Sequence, residues 1–241
     1  MIFQVLAAAV AVAAGAIASV VGFGIGSLLT PILSVQLGTK LAVAAVAVPH
    51  VLGTALRFVV TRRAVDWKVL KSFGLASAAG GLAGALLHTS FSSRGLTIAL
   101  GLLLVLTGIT EWREFAGRVR LSRTGSWIGG LLSGAFGGLV GNQGGVRSAA
   151  LLTFQLPRDS FIATATLTGL IVDAARTPVY FFTKFAELKA IVGLLALTTA
   201  GVLIGTVVGK LALRRIPRRA FGRIAATAVL MLGVYLLLRG N

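Results

Sequence analysis

Ten apolar stretches follow one another along this chain, separated by short gaps. They cover about residues 2–21, 26–37, 41–61, 69–89, 95–111, 125–140, 145–156, 160–183, 187–209 and 220–238. A helix needs roughly 20 apolar residues to cross the hydrocarbon core of a bilayer, and most of these stretches come close to that. Two of them, 26–37 and 145–156, stop well short. Only 12% of residues are charged and the mean hydropathy is +0.95, whereas a soluble domain carries roughly 25% charged residues. A membrane β-barrel would show alternating segments of roughly 10 residues, and these alanine-rich runs do not alternate. The sequence predicts an all-α integral membrane protein.

The net charge of +17 would point to nucleic acid in a soluble chain. Here the Lys and Arg residues fall mostly in the gaps between apolar runs, where they orient a membrane protein. No basic face remains for a nucleic acid. There is no cysteine, and His50 and His88 are the only histidines. That leaves no thiolate site or disulfide, and neither a metal centre nor another cofactor is expected. The first twenty residues are as apolar as a signal peptide but lack its basic n-region, so they are expected to be a mature membrane segment.

Shifted by 119 residues, the chain meets itself: Gly22 falls on Gly141, Gly26 on Gly145, Leu33 on Leu152, Ala55 on Ala174 and Arg57 on Arg176. A shift of 121 pairs Gly80 with Gly201 and Gly84 with Gly205, and a shift of 125 pairs Arg94 with Arg219 and Gly108 with Gly233. An ordered series that includes matched arginines reads as a duplication. Residues 1–110 form a first repeat, 126–241 a second, and the polar linker 111–125 joins them. Each half is an apolar run, a glycine cluster, a short apolar segment and three longer runs.

The orientation of the halves follows from their basic residues. If the chain passes straight through each glycine cluster, Lys and Arg divide almost evenly between the two sides. If it turns back there, 15 of the 23 fall on one side, five on the other, and Arg57, Arg147 and Arg176 lie inside the membrane. The positive-inside rule prefers the second arrangement. It predicts two inverted-topology repeats, each a glycine-broken helical hairpin followed by three transmembrane helices. The linker is then cytoplasmic and both termini lie outside the cytoplasm. Inverted repeats with paired helix breaks are the pattern of secondary transporters, which bind their substrate near the midplane.

The two breaks read "GFGIGSLLTPIL" from Gly22 and "GNQGGVRSAALL" from Gly141. A short helix starts after each, and its first N–H groups lack intrahelical partners. Such an end carries roughly half a positive charge and suits an anion. Gly24, Ile25 and Gly26 on one side, and Gly144 and Gly145 on the other, are the expected backbone donors. Ser27, Asn142, Gln143 and Ser148 add side-chain donors, and Arg57, Arg147 and Arg176 add charge. The competing reading for the glycines is tight helix packing. For Arg57 it is snorkelling toward Arg62 and Arg63. For Arg176 it is an ion pair with Asp173 at i−3. Asp173 and His50 are the candidates for a coupled proton, against a neutralising role for Asp173 and a packing role for His50. Pro49 and Pro178 are expected to kink their helices. Trp67, Trp112 and Trp127, near run ends, suit the membrane interfaces. The pairs Gly80–Gly84 and Gly201–Gly205 have the spacing that packs helices within one chain or between two copies, so a homodimer stands beside the monomer.

At these hairpins the chain resembles the sulfite exporter TauE/SafE family of membrane permeases, over nearly its whole length. The second hairpin departs from the first: Ala150 stands where Pro31 does, and Arg147 where Leu28 does. The resemblance implies transport of small sulfur-containing anions, such as sulfite or organosulfonates, across the bacterial inner membrane. The expected partners are that anion, protons and the lipid bilayer. A passive anion channel is the alternative, since it would share the helix-end site. An enzyme would need paired acids, a nucleophile with its base, or metal ligands, and the membrane runs do not offer them.

Overall fold

A computed structural model describes residues 1–112, 122–212 and 218–239, and every regular element in them is helical. The first half holds α1 (Ile2–Val21), α2 (Ile25–Leu37), α3 (Thr39–Thr61), α4 (Trp67–Val69), α5 (Leu75–Ser90) and α6 (Ser93–Trp112). A π-turn over Leu70–Gly74 joins α4 to α5, so that Trp67–Ser90 is a single span. The second half holds α7 (Arg123–Val140), α8 (Gly144–Leu152), α9 (Arg158–Ala190), α10 (Val192–Ala212) and α11 (Arg218–Arg239). Most of the expected linker, 113–121, lies outside the described residues. Six helices among the described residues are long and apolar enough to cross a membrane.

Local chemistry sets the element ends. The Asp66 carboxylate accepts from the Val69 N–H at 2.9 Å and starts α4, and the Ser122 hydroxyl accepts from the Gly125 N–H at 3.1 Å and starts α7. Such caps satisfy N–H groups that the helix itself cannot. The expected kinks at Pro49 and Pro178 do not break their helices. The residue with non-helical dihedrals inside α9 is Lys184 (φ −131°, ψ 22°), six positions beyond Pro178.

Packing crosses between the halves. The main contacts are α5 with α7, α1 with α10, α6 with α11, and α3 with α9. The first helix of each half therefore lies against the fourth segment of the other, counting the short one. Glycine makes these approaches possible. A Cβ on Gly134 of α7 would sit 1.9 Å from the Ser77 carbonyl oxygen of α5, and one on Gly15 of α1 would sit 2.3 Å from the Val202 carbonyl oxygen of α10. Gly80 and Gly84 press on Leu131 and Ala135, and Gly205 on Val12, so these glycines pack within the chain. The register corrects one pairing. Gly15 and Gly134 are 119 apart, but the residues they meet, Val202 and Ser77, are 125 apart. The packing thus equates Gly80 with Gly205 and Gly84 with Gly209, one helical turn from the match at 121.

Large apolar side chains face outward, as lipid contact requires: Phe182 is 83% and Leu238 75% exposed. Trp67, Trp112 and Trp127 are exposed near helix ends. The short helices α2 and α8 are shielded instead. Residues Ile25–Pro31 of α2 are all buried, and so are Gly144, Gly145, Arg147 and Ser148 of α8.

Candidate functional site

The helices break at both glycine clusters. α1 stops at Gly22 (φ 92°), and α2 starts after Gly24 (φ 137°). α7 stops at Gly141 (φ 72°). All three lie in the left-handed region that glycine enters without the steric cost a Cβ brings. The two turns touch. A Cβ on Gly26 would sit 2.3 Å from the Gly141 carbonyl oxygen, and one on Gly144 would sit 2.6 Å from Phe23 Cβ. The Ser27 hydroxyl donates to Asn142 Oδ1 at 2.9 Å and ties the turns together.

Between them lies a small cavity lined by Ala18, Phe23, Gly24, Ile25, Gly26, His50, Arg57, Gly141, Asn142, Gln143, Gly144 and Arg147. Its interior has about 10 Å³ open to the centre of a water-sized sphere, which is the room one water needs. The N-terminal ends of α2 and α8 border it. Their first N–H groups are the ones a helix leaves without internal partners.

Each arginine has its own setting. Arg57 is buried, with Nε donating to Thr166 Oγ1 at 2.9 Å and Nη1 to the Ala18 carbonyl at 2.6 Å. It does not snorkel. Arg176 donates through Nη1 to the Gly137 carbonyl at 2.6 Å and through Nε to Asp173 Oδ1 at 3.0 Å. Arg176 does not line the cavity; it braces the end of α7 just before the turn. Arg147 lines the cavity and is 1% exposed, yet it makes one long bond, from Nη2 to the Gly22 carbonyl at 3.3 Å. Gly169 makes room for it, since a Cβ there would meet Arg147 Nη1 at 2.6 Å. The shift of 119 that pairs Arg57 with Arg176 pairs His50 with Gly169. The two halves therefore fill this position with different chemistry.

Asp173 is fully buried between two cations or donors: Arg176 Nη2 at 2.9 Å and His50 Nδ1 at 2.6 Å. His50 reaches the cavity wall and Asp173 stands behind it. Several polar atoms around the cavity are buried without a hydrogen-bond partner among the described residues. They include Asn142 Nδ2, both amide atoms of Gln143, and Arg147 Nε and Nη1. Ser148 Oγ, just behind on α8, is also without one. Leaving such a group unsatisfied costs about 1–3 kcal/mol, and most of these atoms are donors. A ligand rich in acceptors would satisfy them. Gly145 serves packing, since a Cβ there would sit 2.0 Å from Thr107 Cγ2.

Sequence reasoning missed Phe23, Thr166 and the His50–Asp173 contact. Thr166 left no signal, since threonine is common in α9. The His50–Asp173 contact spans 123 residues and breaks the repeat, whose symmetry the sequence reading followed.

The structure thus presents a multi-pass helical protein with a donor-rich pocket enclosed at two helix breaks. Among the described residues no cluster of His, Cys, Asp and Glu could hold a metal ion. The family model of the sulfite exporter TauE/SafE matches residues 7–236, and the chain belongs to that family of membrane transporters. No curated protein and no solved structure matches it.

Proposed function

We propose that this protein is a secondary transporter for small sulfur-containing oxyanions, such as sulfite or organosulfonates, in the bacterial inner membrane. The observation that carries the reading is the set of buried donors without partners at the meeting point of two helix N-termini, with Arg147 among them. Oxygen-rich anions supply acceptors for such donors, and guanidinium groups match their geometry. The family's name adds the sulfur chemistry.

The inverted-repeat architecture belongs to the same reading. Its support is the exchange of packing partners: α1 with α10 mirrors α7 with α5, while α3 with α9 and α6 with α11 are their own counterparts. The two arginine bonds add to it, because Arg57 to Ala18 and Arg176 to Gly137 repeat at one shift of 119. A cytoplasmic linker and external termini complete it, on the strength of the basic residues. His50, on the cavity wall and hydrogen-bonded to buried Asp173, is the group placed to carry a coupled proton. The channel alternative shares the helix-end site but needs a continuous wetted path across the membrane.

Flux of sulfite and a small sulfonate into proteoliposomes, with and without a pH gradient, tests the proposal. Gradient-driven flux is expected, retained in part by Arg147→Lys and lost by at least about tenfold in Arg147→Gln, as removal of a charged hydrogen bond implies. Flux of neither anion through folded protein would remove the substrate assignment. Flux indifferent to the gradient would favour the channel.

A further inference from the structure

Charge around the cavity can be counted group by group. Arg57 ends on neutral oxygens, Thr166 Oγ1 and the Ala18 carbonyl. Arg147 ends on the neutral Gly22 carbonyl, and its Nε and Nη1 have no partner among the described residues. Arg176 is balanced by Asp173. His50 Nδ1 lies 2.6 Å from the other oxygen of the same carboxylate. Asp173 is the one buried carboxylate among the described residues; Asp66, Glu111, Asp159 and Glu187 are all at least partly exposed. The wall of the cavity therefore carries two positive charges, Arg57 and Arg147, and the one carboxylate near them, Asp173, is already engaged by Arg176 and His50. Uncompensated charge at membrane depth is costly, and the low dielectric there strengthens any charge that answers it.

We infer that the site selects doubly charged oxyanions over singly charged ones of similar shape, with Arg57 and Arg147 each matching one negative charge. The inference rests on the anion-transporter reading and adds the valence of the substrate. A monoanion would leave one guanidinium unbalanced in the membrane, and a dianion leaves none. The two arginines differ in kind. Arg57 has a counterpart in Arg176 and holds the end of α1. Arg147 has none, since Leu28 stands at its matching position, and its Nε and Nη1 have no partner among the described residues. Arg147 is thus the residue that sets valence, and the second hairpin, rather than the symmetry of the fold, decides it.

The test is equilibrium binding to the purified full chain in detergent, at neutral pH and constant ionic strength. Sulfate and thiosulfate are the dianions and methanesulfonate the monoanion. The wild type is expected to bind at least one dianion about tenfold more tightly than methanesulfonate, or better. Arg147→Lys should keep that preference. Arg147→Gln should lose it, with methanesulfonate binding the less affected of the two. Equal affinity for both valences in the wild type would overturn the inference while leaving an anion site in place. So would a preference that survives in Arg147→Gln. Should that variant fail to fold, the wild-type ratio decides alone. Binding of none of the three anions, by protein with full helical content, would overturn the anion-site reading itself and the valence with it.

Discussion

Arg57 and Arg176 both brace backbone at a helix end, and Arg57 lines the cavity as well. Each donates from Nη1, at 2.6 Å, to a carbonyl that also accepts the N–H of the glycine ending the helix: Ala18 with Gly22, and Gly137 with Gly141. A cation at a helix C-terminus is favourable, by up to about 2 kcal/mol where partly buried. In α9 the arrangement depends on Asp173, which balances Arg176. Removing one partner of a buried pair costs about 3–5 kcal/mol, because the other charge is left bare. Asp173→Asn should therefore lower the unfolding midpoint in detergent sharply. The double variant Asp173→Asn/Arg176→Gln should recover part of that loss, since no bare charge remains. Strictly additive losses would mean that the pair is not coupled.

At the level of elements, the hairpins and crossings depend on glycines pressed against backbone. Gly134→Ala would place a methyl 1.9 Å from the Ser77 carbonyl oxygen, so α5 and α7 must separate. Overpacking of this sort costs about 1–3 kcal/mol or more. A methyl on Gly222, in α11, would meet nothing within 4 Å, and Gly222→Ala should be neutral or gain up to about 1 kcal/mol from helix propensity. Equal effects on thermal unfolding would show that the α5–α7 contact tolerates a gap. Most of these elements were legible in the sequence. The apolar run at 2–21 corresponds to α1 (Ile2–Val21), and that at 41–61 to α3 (Thr39–Thr61). Hydropathy finds such segments because lipid demands them. It overran at 145–156, where α8 stops at Leu152 and Gln155 takes φ 53°. It ended a run at 183, where the structure has its non-helical residue at Lys184, but it started the next run at 187, before α10 begins at Val192. The glycine pairing slipped by one turn for a physical reason: helices with small residues every fourth position match themselves almost equally well when moved by four. The candidate site was legible wherever a residue is odd for its surroundings, as Arg147 and Asn142 are. His50 with Asp173 was not, since neither half of the repeat contains both.

For the whole molecule, orientation is the statement that can be checked most directly. The chain has no cysteine, so a single introduced thiol reports one position. Thr124→Cys and Asp159→Cys should both react with an impermeant maleimide only after the cytoplasmic side is opened, since a chain that turns back near Gly141 returns to the side it left; both positions are exposed. Reaction of the two from opposite sides would refute the inverted arrangement. The exchange of helices between the halves then bears on mechanics. α1 is locked to α10, and α7 to α5, through backbone-to-backbone contact at Gly15, Gly205, Gly134 and Gly80. If the protein works by rigid-body tilting, the two halves are therefore not expected to be its moving parts. Any rigid unit that tilts to open the cavity must be a hybrid, taking its first helix from one half and that helix's partner from the other. The hinges are then to be sought in the segments that leave such hybrids, at Gly22–Gly24 and Gly141–Gln143, beside the candidate site.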